Sequence, residues 1–112
     1  MINAVVGHMV GDYLFQTDYL ALNKKRSSTI CAIHCLVWTT CVMSFAFWWS
    51  LQAFLFLFLT HFIQDRTHIV SWWMSKMGQN QFKKPPFTPW SIIVVDNTLH
   101  LVQIWVAWNL WH

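Results

Sequence analysis

Apolar residues fall into four long stretches, at about 2–22, 29–49, 53–74 and 90–111, separated by short polar segments. Each is close to the roughly 20 residues that a helix needs to cross a bilayer. The pattern predicts an all-α protein: one transmembrane domain over residues 1–112, a four-helix bundle with antiparallel neighbours. The segment 23–28 (Asn-Lys-Lys-Arg-Ser-Ser) reads as a polar turn, with Ser28 or Thr29 as N-cap of the second span. Ser50, Leu51 and Gln52 read as a tight uncharged turn. The segment 76–89 holds Lys-Lys-Pro-Pro-Phe-Thr-Pro, which no helix continues through.

The polar positions inside these stretches repeat. His8, Asp12 and Gln16 lie at i, i+4, i+8 in the first span. His61, Asp65 and His68 lie at i, i+4, i+7 in the third, and Asp96, His100 and Gln103 repeat that spacing in the fourth. Such spacings put each set on one helix face. The second span carries His34 beside Cys31 and Cys35. Ionisable groups at membrane depth are costly, face a bundle interior and mark a site. One intramembrane His/Asp cluster is therefore expected.

Composition sharpens this reading. The chain is 56% hydrophobic and only 10% charged, against about 25% charged in soluble domains. The mean hydropathy is only +0.40 because polar groups interrupt the apolar stretches. There are four Asp and no Glu, and Asp12, Asp65 and Asp96 lie well inside apolar stretches. The net charge of +3 comes from loops, so it reads as a topology signal and not as a nucleic-acid footprint. Lys24, Lys25 and Arg26 mark the first loop as cytoplasmic, and Lys76, Lys83 and Lys84 mark the third. Both termini are then expected on the outer side. No basic region precedes the first apolar stretch, so no cleavable signal peptide is expected. In this orientation three helices place His nearer the outside and Asp about 6 Å nearer the cytoplasm. That common order favours a single assembled site.

Gly7 and Gly11 form a Gly-xxx-Gly motif for close helix approach. Cys31, His34 and Cys35 have a spacing that a soft metal accepts. Buried free cysteines more commonly act as small hydrophobes, and that is the reading taken for them. Trp48, Trp49, Trp72, Trp73, Trp90, Trp108 and Trp111 fall at span ends, as an interfacial aromatic belt requires. Arg66 reads as a residue snorkelling to the headgroups, with phosphate binding as the alternative.

Imidazole and carboxylate together are ligands of zinc and other divalent metals. His8, His61, His68, His100 and Asp65 are the expected ligands of a zinc, manganese or iron ion. Asp12, Asp96 and His34 are the expected further ligands or general base. The function that follows is a metal-dependent membrane hydrolase acting on a lipid or lipid-linked substrate from the cytoplasmic leaflet. Two alternatives stand beside it. Chains of Asp and His also conduct protons or ions. A partner-binding membrane protein could use the cluster as structural glue. A homo-oligomer or a larger membrane complex fits so small a bundle.

The motifs Gly-His-Met-Val-Gly-Asp-Tyr-Leu-Phe-Gln-Thr-Asp (7–18), Ala-Ile-His-Cys-Leu (32–36), Thr-His-Phe-Ile-Gln-Asp (60–65) and Val-Asp-Asn-Thr-Leu-His-Leu (95–101) follow one another in order. Together they resemble an uncharacterised family of small bacterial and phage membrane proteins, DUF3307. The resemblance implies an integral protein of a bacterial inner membrane, with His8, Asp12, Gln16, His34, His61, Asp65, Asp96 and His100 as matching positions. It implies no activity, though the phage members of the family imply a phage or host membrane factor as the form of the partner-binding alternative.

Overall fold

A computed structural model describes the backbone of residues 1–112 and every side chain except that of Ala21. The described residues are helical or in turns and bends, with no strand among them. In chain order the helices are α1 (Ile2–Met9), a π-helical turn (Val10–Leu14), α2 (Asp18–Asn23), α3 (Ser28–Phe45), α4 (Leu51–Arg66), α5 (Ile69–Lys76) and α6 (Trp90–Trp111).

Two of these, α3 and α6, are long and apolar enough to cross a membrane. The other two expected spans are interrupted. The first is broken by the π turn and by non-helical residues before Thr17, whose hydroxyl accepts from the Leu20 N–H and starts α2. The third stops at Arg66, where Thr67 turns extended, and restarts at Ile69. At 16 residues α4 is about 24 Å long, short of a hydrocarbon core of about 30 Å. Both breaks fall at runs of polar residues, Gln16 to Asp18 and Gln64 to His68, which the expected spans had run through.

Caps set the remaining boundaries. Ser27, not Ser28 or Thr29, caps α3 by accepting from the Ile30 N–H. Ser50 caps α4 through the Ala53 N–H, so Leu51 and Gln52 belong to the helix and not to a turn. The α3 helix ends at Phe45, ahead of the expected 49, and Phe47 takes a positive φ of 50° in the turn.

Helices α1, α3, α4 and α6 close a ring, each packed on two of the others. Neighbours run antiparallel. Gly7 meets Cys41 and Val42 while Gly11 meets Trp38, and Gln64 meets Asp96 while His61 stacks on His100. Both glycines of the expected motif are used for this approach. A Cβ on Gly7 would lie 2.5 Å from the Cys41 carbonyl oxygen, and one on Gly11 would lie 3.0 Å from the Trp38 Cα.

The ring has two interiors. One end is apolar, formed by Ala4, Val42, Met43, Trp48, Ala53, Leu57, Ile104 and Ala107. Trp48, expected in an interfacial belt, is instead buried here and donates its indole N–H to the Trp111 carbonyl. Trp49, Trp72 and Trp90 are exposed. Toward the other end lie the ionisable groups. Trp38, fully buried, separates the two.

Candidate metal centre

The first span delivers its carboxylate through the π turn. Phe15 N–H reaches back five residues to the Val10 carbonyl, inserting one residue into the helical ladder. Such bulges recur at functional sites because they re-aim a side chain. Here the bulge holds Asp12, buried, among His8, His34, His61 and His100. It also moves Gln16 off the expected stripe. Gln16 donates to the Asp12 carbonyl at 3.0 Å and accepts from Lys24 at 3.2 Å.

Helices α3 and α4 meet at three atoms. His34 Nε2, His61 Nε2 and Asp65 Oδ2 are each 3.0 Å from the other two. Asp12 Oδ1 lies 3.2 Å from His34 Nε2 and 3.7 Å from His61 Nε2, completing a four-atom cage. Hydrogen bonds alone do not satisfy this arrangement. An imidazole Nε2 carries at most one hydrogen, so two imidazoles serve at most two of the three edges. If both point at Asp65, the N···N edge sets donor against donor. If only one nitrogen is protonated, one edge joins two acceptors. A cation shared by all three atoms removes the conflict. Adjacent ligands about 2.1 Å from one ion are themselves separated by about 3.0–3.4 Å, which is the spacing found.

The cage is one of three linked groups with metal-ligand spacing: Asp12, His34, His61 and Asp65; His8, Asp12 and His100; and Asp65, Asp96 and His100. Asp12 and Asp65 each belong to two groups, so either carboxylate could bridge two ions. His100 Nδ1 lies 3.3 Å from Asp12 Oδ2, and its Nε2 lies 3.4 Å from Asp65 Oδ1. Asp12 Oδ1 and both His100 nitrogens are buried without a hydrogen-bond partner. Buried polar atoms are nearly always paired, and this concentration of unpaired ones at a single place fits a cation-binding centre.

His8 is held differently. The Trp38 indole N–H, which can only donate, gives its hydrogen to His8 Nδ1 at 2.9 Å. That nitrogen's lone pair is thereby used, and the ring carries its hydrogen on Nε2. Of the expected ligands, His61, Asp65 and His100 come together directly. His34 and Asp12, expected as further ligands or base, sit in the cage itself. Asp96 stands at the edge, half-buried, 3.7 Å from His100 Nδ1. His68 does not join. The α4 helix ends two residues before it, the i+7 phase is lost, and His68 is an exposed N-cap of α5. Cys31 and Cys35 are buried thiols with Sγ atoms 3.9 Å apart, outside all three groups.

Three positions at the cluster escaped the pattern. Gln64 donates to the Asp96 side chain at 2.8 Å and to its carbonyl at 2.9 Å, and accepts from Gln103 at 2.6 Å. Its only sequence signal was its place beside Asp65. Trp38 stacks on His61 with centroids 3.9 Å apart, and His61 stacks on His100 at 4.0 Å. The sequence signal of Trp38 was a position inside a span and not at its end, which it shares with Trp105. Lys24, read as a topology charge, reaches Asp65 Oδ2 at 3.0 Å. Burial opposes its charge, but the Asp65 carboxylate more than reverses this and holds the Lys24 pKa above the ordinary lysine value. Arg66, expected to reach headgroups, bonds the Ser28 hydroxyl and the Lys25 carbonyl, fastening the first loop to α4.

Two small cavities lead to the cluster. One of about 170 Å³ is bordered by Asp12, Tyr13, Gln16 and Asn97, and one of about 160 Å³ by Lys25, Asp65, Val70 and Ile92. Both share Lys24, Ile93 and Asp96 as walls. Larger cavities of about 390 and 420 Å³ are apolar; neither borders the cage.

Fold and site define a helical protein with two candidate membrane-crossing helices and a buried His/Asp cluster with the spacing of metal ligands. The chain belongs to the family described as "Protein of unknown function (DUF3307)", whose model matches residues 1–112. No curated protein and no solved structure matches it.

Proposed function

We propose that this protein is a membrane-embedded, metal-dependent hydrolase acting on a lipid or lipid-linked substrate that arrives from the cytoplasmic leaflet. The observation that carries the reading is the triangle of His34 Nε2, His61 Nε2 and Asp65 Oδ2, with edges of 3.0 Å that hydrogen bonds cannot all satisfy. A divalent ion there offsets the cost of burying Asp12 and Asp65. Once bound, it supplies Lewis acidity and an activated water. Asp96 is the base of this reading. It lies at the cavity mouth and is fixed by Gln64.

The chain sits in a bacterial inner membrane as four membrane-embedded segments, with α3 and α6 as full crossings and both termini outside. The interrupted segments keep their breaks near the basic loop. Lys25 donates to the carbonyls of Asp65 and Thr67, so the break after α4 lies beside that loop. Irregular backbone at such a depth is tolerated where protein or water satisfies it. Exposed Ile69, Trp72 and Trp73 suit α5 to the interface. Ion conduction is the weaker reading. Trp38 and the apolar end close the cluster on its far side, leaving no polar path through one chain.

Elemental mass spectrometry of detergent-purified protein tests the proposal. About one or two ions per chain, lost in Asp65→Ala, are expected. Phosphate- and ester-release assays on lipid substrates follow. A folded preparation that takes up no zinc, manganese or iron would remove the reading.

A further inference from the structure

Lys24 stands at an unusual place. Its Nζ bonds Asp65 Oδ2, the oxygen that closes the ligand triangle. Its second partner is the neutral Gln16 Oε1. It is also a wall of both cavities that reach the cluster. An ion about 2.1 Å from Asp65 Oδ2 lies within about 5 Å of this ammonium, where like charges in a poorly solvated site repel strongly. The ion and Lys24 thus compete for one oxygen, and only Lys24 has somewhere else to go: the shared mouth.

The charges at that mouth indicate what it receives. Asp12, Asp65 and Asp96 bring three negative charges. A divalent ion, Lys24 and Lys25 bring four positive ones. Lys25 bonds only backbone carbonyls here, those of Asp65 and Thr67, and no carboxylate. The loaded site therefore carries net positive charge on the side of the basic loop, and a compact anion complements it.

We propose that Lys24 is a displaceable counter-ion that becomes the substrate's anion-binding residue. A divalent ion takes Asp65 Oδ2 from Lys24, and the freed ammonium, with Lys25, binds a phosphate group in the mouth. This rests on the metal-centre reading and adds to it the substrate class, a phosphate-bearing molecule, and an order of binding, metal before phosphate.

Cobalt titration of metal-stripped full-length protein, followed by its visible absorption, separates the two claims. Lys24→Gln is expected to bind Co²⁺ at least about tenfold more tightly than wild type, and Lys24→Arg about as wild type. With Co²⁺ bound, inorganic phosphate is expected to bind wild type and to lose at least about tenfold in affinity in Lys24→Gln. Lys24→Met, which keeps the length of the stem, is the second neutral variant, and circular dichroism checks that each folds. The wild-type protein also tests the order without any variant: phosphate should bind only after Co²⁺. Soluble short-chain phosphatidic acid distinguishes the source. Tighter binding than inorganic phosphate supports a lipid headgroup, and equal binding supports free phosphate. If wild type binds no Co²⁺, the metal-centre reading falls and takes this proposal with it. If Co²⁺ binds but the neutral variants bind it equally or more weakly, or if phosphate binds without Co²⁺, only the role of Lys24 is overturned.

Discussion

The two ends of the helical ring are built on the same helices and solve burial in opposite ways. At the apolar end, Leu57 of α4 and Ile104 of α6 are fully buried, and shape alone completes the packing. One turn along, His61 and His100 occupy the matching places on those helices, equally buried, with ring nitrogens left unpaired. Packing leaves nothing outstanding at the first end, whereas the second still calls for a charge. A polar network that is only partly satisfied costs more than an apolar core. Its presence in so small a bundle speaks for a ligand and against glue.

The sharpest way to break this contrast is Asp65→Ala. It removes the carboxylate shared by His34, His61, His100 and Lys24. Removing one partner of a buried charged group costs about 3–5 kcal/mol, so a large loss of thermal stability is expected together with loss of bound metal. Leu57→Ala strikes the other end. A cavity there should cost about 3 kcal/mol, yet leave Co²⁺ affinity within about twofold. If both variants lost metal equally, the two ends would be one cooperative unit.

Trp38→Phe probes the boundary. It keeps a ring against His61 but removes the hydrogen given to His8. A loss of about 1–2 kcal/mol is expected from the unpaired His8 nitrogen. The freed His8 Nδ1 is already 3.4 Å from Asp12 Oδ2, and if it then joins the cluster an altered cobalt spectrum will report it. His68→Ala should do least, within about 0.5 kcal/mol and with metal content unchanged, because His68 is exposed and outside the cluster. Any loss of metal in that variant would restore it as a ligand.

Helix α6 shows how far the pattern carries. Its observed limits, Trp90–Trp111, are those of the apolar stretch read there, because no Gly or Pro breaks the chain between Pro89 and the end of the stretch. The Gly7/Gly11 contact and the convergence of His8, Asp12, His34, His61, Asp65 and His100 were also legible, because i, i+4 spacing fixes a common face on any regular helix. Regularity was also where the reading failed. The i+7 place of His68 and the i+8 place of Gln16 both assumed an unbroken helix.

The sequence by itself determined which residue types had to be buried and on which helix faces, because hydropathy and helical period are local properties. Tertiary structure alone decided which of the tryptophans would divide the polar end from the apolar one, that Gln64 would hold Asp96, and that Lys24 would turn inward to Asp65. Those outcomes depend on the competition among partners brought together from distant parts of the chain. A lysine near the end of an apolar stretch looks the same whether it faces headgroups or a carboxylate 41 residues away, and only the assembled helices supply that carboxylate.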